Sequence, residues 1–192
     1  MRVNEIFYSI QGEGFHTGTP ATFVRFSGCN LKCPFCDTDF KHSVEMSEEE
    51  IVDAVRENPS IFVVVTGGEP ALQLTYSLVD KLHKAGRYVA VETNGTIRLP
   101  RNVDWITLSP KKSYLGDMAE PEYKFADEVK VVFDGKHEVD DYGIIASGYY
   151  LQPCDTGNEE ENRVITEKCV EFIKKNPKWK LSLQTQKILN VR

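Results

Sequence analysis

The chain has 192 residues, 41% of them hydrophobic and 27% charged, which suits one domain with a buried core and excludes disorder by composition. Acidic residues outnumber basic ones 29 to 23, and the net charge of -6 argues against electrostatic binding to nucleic acid or an anionic membrane. No apolar run approaches the ~20 residues of a membrane span, and Glu5 interrupts the N-terminus where a secretory signal needs an apolar stretch, so a cytoplasmic, reducing setting is expected.

Taken in chain order, Val3 to Ile6 and Thr22 to Phe26 have the content of early strands. Ser47 and Glu50 have capping-box spacing, so a helix is expected from Ser47 to about Asn58. Ile61 to Thr66 reads as a strand buried on both faces. Pro70 to Ala85 reads as the next helix, with Gly86 placed to end it. Further strands are expected at Tyr88 to Glu92, Trp105 to Leu108, Glu128 to Phe133 and Tyr149 to Gln152. A helix follows from Asn158 to Asn176, its acidic start at Glu159 to Glu161 read as solvated. Lys180 to Leu183 closes the series as a short strand.

Repeated strand–helix units imply a mainly parallel sheet with helices outside it. The units are too few for a full eightfold barrel of about 250 residues. The expected fold class is therefore α/β, a partial, open (β/α) barrel with a mainly parallel sheet. No repeat, low-complexity tract or Gly/Ser-rich linker divides the chain, and residues 1–192 are read as a single domain.

Polar motifs fall just after the strands: Thr66-Gly67-Gly68-Glu69-Pro70, Glu92-Thr93-Asn94-Gly95, Ser109-Pro110-Lys111 and Gln152-Pro153-Cys154-Asp155. In parallel α/β architectures the site forms at the carboxyl ends of the strands, so these segments are expected to converge on one face. Taken singly, each could be turn chemistry marked by glycine and proline.

Of five cysteines, Cys29, Cys33 and Cys36 are spaced C-x3-C-x2-C on a loop that also carries Gly28 and Pro34. Soft thiolates this close select zinc or an iron–sulfur cluster. Structural zinc takes four closed ligands, usually as separated pairs, whereas this loop supplies three. A cubane held by three cysteines leaves one iron open to an outside ligand. Cys154 could be a fourth thiolate from another strand end, and Cys169 reads as a buried thiol in a helix. His16, His42, His83 and His137 are scattered and suggest no metal site.

The cysteine spacing, with Phe35 before the last cysteine, resembles the radical S-adenosylmethionine superfamily, and Gly67-Gly68-Glu69 resembles its second signature. Adding Gln11-Gly12-Glu13-Gly14, Cys36-Asp37-Thr38, Glu92-Thr93-Asn94-Gly95-Thr96, Ser109-Pro110-Lys111 and Gln184-Thr185-Gln186-Lys187 makes the chain similar to the 7-carboxy-7-deazaguanine synthase family from about residue 4 onward. The resemblance implies conversion of 6-carboxytetrahydropterin to 7-carboxy-7-deazaguanine with loss of ammonia, a ring contraction on the route to deazapurines such as queuosine. It implies a [4Fe-4S] cluster, S-adenosylmethionine (SAM) and magnesium as cofactors. The implied partners are an electron donor such as flavodoxin or ferredoxin and a second copy of the chain. The cofactor would carry the hard chemistry, so no side chain need act as a nucleophile.

On the same resemblance, Cys29, Cys33 and Cys36 would hold the cluster. Phe35, Cys36, Asp37, Gly68, Ser109, Pro110, Lys111, Gln152, Pro153, Cys154 and Asp155 would meet SAM. Ile10, Gln11, Gly12, Glu13, Arg25, Thr66 and, through its terminal carboxylate, Arg192 would meet the pterin. Thr38 would ligate magnesium, although carboxylates bind hard cations better and its hydroxyl could instead cap local backbone. Glu13 suits the guanidine-like pterin edge, and the planar fork of Arg25 suits a carboxylate. Their bland alternatives are a solvated loop residue and a surface strand residue. Lys111 stands beside Lys112, and such a pair usually faces solvent. Some relatives carry histidine where this chain has Gln186, which cannot move a proton near neutral pH. Two other readings stay open: an activase that makes a glycyl radical in a partner protein, and a non-enzymatic zinc-binding interaction module.

Overall fold

The computed structural model describes residues 1–36, 38 and 42–191. Its framework is a nine-stranded sheet in the linear order β3-β1-β2-β4-β5-β6-β7-β8-β9. The strands are β1 (Arg2–Ile10), β2 (Pro20–Phe26), β3 (Val44–Glu45), β4 (Phe62–Gly67), β5 (Tyr88–Thr93), β6 (Trp105–Leu108), β7 (Phe125–Phe133), β8 (Ile145–Pro153) and β9 (Lys180–Leu181). From β2 through β9 the neighbours are parallel, and β1 runs antiparallel to both β2 and β3. The edges β3 and β9 do not pair with each other, so the sheet stays open, as the open (β/α) barrel expectation requires.

Period-two alternation sorts each strand between two environments. Val24, Phe26, Val63, Val65, Val89 and Val91 point to a core shared with the helices α1 (Glu48–Arg56) and α2 (Tyr76–Lys84). Val129, Val131, Phe133 and Leu151 point to a second core under α4 (Glu159–Lys175), which also buries Ile165 and Cys169. On the opposite face Phe23, Phe62, Val64 and Ala90 form a small apolar cluster near the strand starts. Farther along the same face the alternate residues turn polar: Arg25, Thr66, Glu92, Lys130 and Gln152. The sheet thus delivers its polar residues to the carboxyl ends of the parallel strands.

The Ser47 capping box forms as expected, and Asn158 caps α4 at its exposed acidic start. The expected helix from Pro70 to Ala85 instead splits. Glu69 caps a short 3-10 turn at Pro70–Leu72, and Thr75 caps a new start at Tyr76 by accepting from the Leu78 amide. Two caps six residues apart cannot belong to one helix, because each fixes a non-helical residue. Ile61 lies outside β4 and is exposed, so the strand buried on both faces begins at Phe62. β1, β7 and β8 exceed their expected lengths, and β9 is shorter. Two short helices, α3 (Lys112–Leu115) and α5 (Thr185–Ile188), lie where no helix was expected.

Candidate active site

The carboxyl ends of the parallel strands surround a cavity of ≈ 320 Å³. Its wall includes Cys29, Cys33, Cys36, Phe35 and Thr38, together with Gly68, Ser109 and Lys111. It also includes Gln152 to Asp155, Ile10 to Glu13, Arg25 and Thr66. Pro110 is buried and is not part of this wall, whereas its neighbours Ser109 and Lys111 are. Asp37 and Arg192 lie outside the described residues.

The cysteine loop is fastened to the segment after β4. The Gly68 amide donates to the Phe26 carbonyl at 3.2 Å, and the Glu69 amide donates to the Gly28 carbonyl at 2.9 Å. A Cβ on Gly68 would stand 2.1 Å from the Gly28 oxygen and 2.9 Å from the Cys29 Cβ. Only glycine allows this approach. The fully buried carboxylate of Glu69 then ties the same segment to the turn after β5. It accepts from the Ala71 amide at 3.0 Å, the Thr93 hydroxyl at 2.7 Å and the Asn94 amide at 2.8 Å. Burial raises its pKa against those hydrogen bonds. Asn94 closes the frame by donating to Asn30, next to Cys29. This glutamate therefore braces three loops, and it is buried rather than lining the cavity.

The three loop cysteines are free thiols, two exposed and one half-buried. Burial raises the Cys29 and Cys33 thiols, while Lys111 acts to lower Cys33. Among the described residues no three His, Cys, Asp or Glu side chains group tightly enough for a single metal ion. Three soft thiols around a shared cavity, each free to bond a different metal atom, fit a cluster better than one ion. Leu31 donates its amide to the Cys29 sulfur at 3.4 Å, a contact that favours thiolate. Phe35 packs edge-on against Tyr114 of α3 with ring centroids 4.6 Å apart, so this unexpected helix fixes the aromatic residue of the cysteine motif.

Lys111 does not share the solvent-facing habit of a lysine pair. Its ammonium donates to the Ser109 carbonyl and hydroxyl, both at 2.6 Å, and burial lowers its pKa to about 8 with Cys33 opposing. Lys112 turns outward and pairs with Glu120. Cys154 is buried at the cavity wall, and Cys169 is buried in α4, where burial pushes its thiol up to about 12.

Another part of the wall is rich in carboxylates. Lys130 donates to Glu13 at 2.5 Å and to Glu92 at 3.2 Å. Gln184 and Gln186 donate to the other Glu13 oxygen at 3.1 and 3.2 Å. Burial would raise the Glu13 carboxyl, but the Lys130 ammonium overrides it and holds the value at about 2. Gln11 and Thr66 both direct side chains at Glu92. Arg25 reaches the wall while its Nε donates to Glu5 at 2.9 Å, which sets the plane of its guanidinium.

Sequence reasoning assigned no role to Lys130, Glu92 or Gln184. The available signal was the alternation Glu128-Val129-Lys130-Val131, which places two charges on the inner face of a buried strand. The C-terminal segment joins the site through Thr185, whose hydroxyl and amide both donate to the Gly12 carbonyl. Lys187 holds Asp155 at 2.6 Å.

Residues 23–113 match the Radical SAM superfamily. The chain is 46% identical over 192 residues to the 7-carboxy-7-deazaguanine synthase of Bacteroides thetaiotaomicron, covering 100% of this chain and 98% of that one. The enzyme of the same name from Haemophilus influenzae is 38% identical, over 97% of this chain and 92% of that one. The crystal structure of QueE from Escherichia coli matches with a TM-score of 0.71 at 27% identity, over 95% of this chain and 92% of that one. With full-length identity of this order added to the site geometry, the chain belongs to the 7-carboxy-7-deazaguanine synthase family of radical SAM enzymes.

Proposed function

We propose that this chain, acting as one radical SAM domain, converts 6-carboxy-5,6,7,8-tetrahydropterin to 7-carboxy-7-deazaguanine with loss of ammonia. The observation that carries the reading is one cavity with two kinds of wall. Thiols from one loop meet a glycine-backed segment, and a carboxylate-rich group lies around Lys130. An interaction module has no use for the second wall, and an activase needs room for a protein segment rather than this compact polar lining.

When bound, the cluster and SAM supply the 5′-deoxyadenosyl radical that takes hydrogen from the pterin carbon bearing the carboxylate. Cys29, Cys33 and Cys36 would hold the cluster. Gly68, Ser109, Lys111 and Gln152 to Asp155 would orient SAM, with Phe35 held against it by Tyr114. Ionised Glu13 accepts hydrogen bonds at the guanidine-like edge of the pterin. Ile10, Gln11, Gly12 and Thr66 complete its seat, and Arg25, its plane set by Glu5, takes the substrate carboxylate. Thr38 lines the cavity where it could ligate magnesium alongside substrate oxygens. No helix among the described residues is long and apolar enough to cross a membrane. A cytoplasmic enzyme that works as a homodimer and draws electrons from flavodoxin or ferredoxin completes the reading.

The test is anaerobic turnover with SAM held below the pterin concentration. If the hydrogen taken from the pterin is given back to the rearranged substrate, SAM is not consumed, and several products should form per SAM. SAM cleavage without pterin consumption would sink the substrate assignment and favour an activase.

A further inference from the structure

Lys130 carries a deeply buried charge in the cavity wall, and nothing in the proposed chemistry uses it. Its side chain is 7% exposed and bridges two carboxylates from different elements. Glu13 comes from the loop after β1, and Glu92 comes from β5. The bridge claims one oxygen of Glu13 and leaves the other to the amides of Gln184 and Gln186. We infer that Lys130 is a positioning residue for the pterin, its ammonium keeping Glu13 ionised and aimed while Glu92 stands close by.

The inference rests on the pterin reading, and the chemistry follows from hydrogen-bond capacity. A guanidine-like edge presents adjacent N–H donors. An ionised carboxylate accepts from both, whereas a protonated one offers a donor in the same place. Glu13 is buried beside a second carboxylate, so without a cation both burial and like charge would drive it toward the protonated form. The groups facing Lys130 are Glu13, Glu92, Glu128 on its own strand and Lys111 after β6. The neutral side chains Gln11, Thr66, Gln184 and Gln186 complete the Glu13 and Glu92 surroundings. Lys130 thus faces several carboxylates, and its own charge is secured by them despite burial.

The experiment measures binding of the fluorescent probe 6-carboxypterin to the anaerobic holoenzyme with SAM, from pH 5 to 7, below the range in which Lys111 and the pterin ring titrate. The proteins compared are wild type, K130R, K130Q and K130Q/E92Q. Wild type and K130R should bind with a flat profile, within about threefold of each other. K130Q should bind more weakly at low pH and gain about tenfold per pH unit until Glu13 ionises. K130Q/E92Q, which has lost the like charge as well, should show the same slope displaced to lower pH. In turnover, K130Q should raise the pterin KM while kcat stays within about threefold. A K130Q profile as flat and as tight as wild type overturns the inference. Should K130Q not fold, a flat profile at wild-type affinity in the double variant overturns it equally. A wild-type protein that does not bind the probe overturns the pterin reading itself, and the inference falls with it.

Discussion

A single methyl group at Gly68 probes the joint between the cysteine loop and the segment after β4. The Gly68 backbone is not in the left-handed region, so Gly68→Ala meets no dihedral penalty. In open space such a change would stabilise by about 0.4–1 kcal/mol through the unfolded chain. Here the new Cβ would lie 2.1 Å from the Gly28 oxygen and 2.5 Å from the Gly28 carbonyl carbon, both backbone atoms. Normal contact then requires the loops to part by roughly 1 Å or more. Overpacking of this kind costs about 1–3 kcal/mol. The parting also strains the Glu69-to-Gly28 and Gly68-to-Phe26 hydrogen bonds, worth about 1 kcal/mol each. The expected total is about 2–4 kcal/mol, concentrated beside Cys29. The assay is thermal melting of the metal-free protein, with iron and acid-labile sulfide content after anaerobic reconstitution. The variant should melt lower and hold less cluster. A Gly68→Ala protein with wild-type melting and full iron content would refute the account of this joint.

Glu69→Gln replaces an acceptor-only side chain with one that meets a backbone N–H or the Thr93 hydroxyl with an NH2 group. It should cost about 1–3 kcal/mol, read as a lower melting temperature without loss of cavity-lining groups. Cys154→Ala and Cys169→Ala should both keep full iron and sulfide, since neither belongs to the cluster loop; loss of iron in Cys154→Ala would revive a fourth thiolate. Glu13 and Asp155 both have carboxyls held at about 2, Asp155 chiefly by the hydrogen bond from Lys187. Their stabilisation is present above the ordinary carboxylate range and is lost as pH falls through about 2. Glu69 and Glu128, raised by burial, act oppositely above that range and add no slope below it. The urea midpoint should therefore drop between pH 4 and 2, and a constant midpoint there would contradict the pairing. Thr38→Ala should raise the magnesium concentration needed for half-maximal turnover, and an unchanged requirement would remove Thr38 as a ligand.

The parts of the fold readable in the sequence were those with a local cause. The Ser47–Glu50 box, the apolar run after Ile61 and the Gly86 stop each announce themselves within a few residues. The convergence of Gly68, Ser109, Lys111 and Gln152 was readable from their placement after strands, because parallel sheets gather those ends. The break between Leu72 and Tyr76 was not, since the capping preference of Thr75 is hidden inside a run that also suits a helix. The alternation around Lys130 gives the face of its strand but not its role, because its partners Glu13 and Glu92 are distant in sequence and meet it only in the folded chain. The brace made by Glu69 was hidden for the same reason. Its motif resembles a cofactor signature, but its hydrogen bonds go to Thr93 and Asn94.

One cavity should serve both the cluster and the pterin. The most direct measurement reconstitutes wild type and Cys33→Ala without oxygen, supplies 6-carboxytetrahydropterin, SAM, reductant and magnesium, and follows 7-carboxy-7-deazaguanine by mass spectrometry. Wild type should form product and Cys33→Ala none. Wild-type protein that holds an intact cluster and cleaves SAM yet forms no 7-carboxy-7-deazaguanine would contradict it.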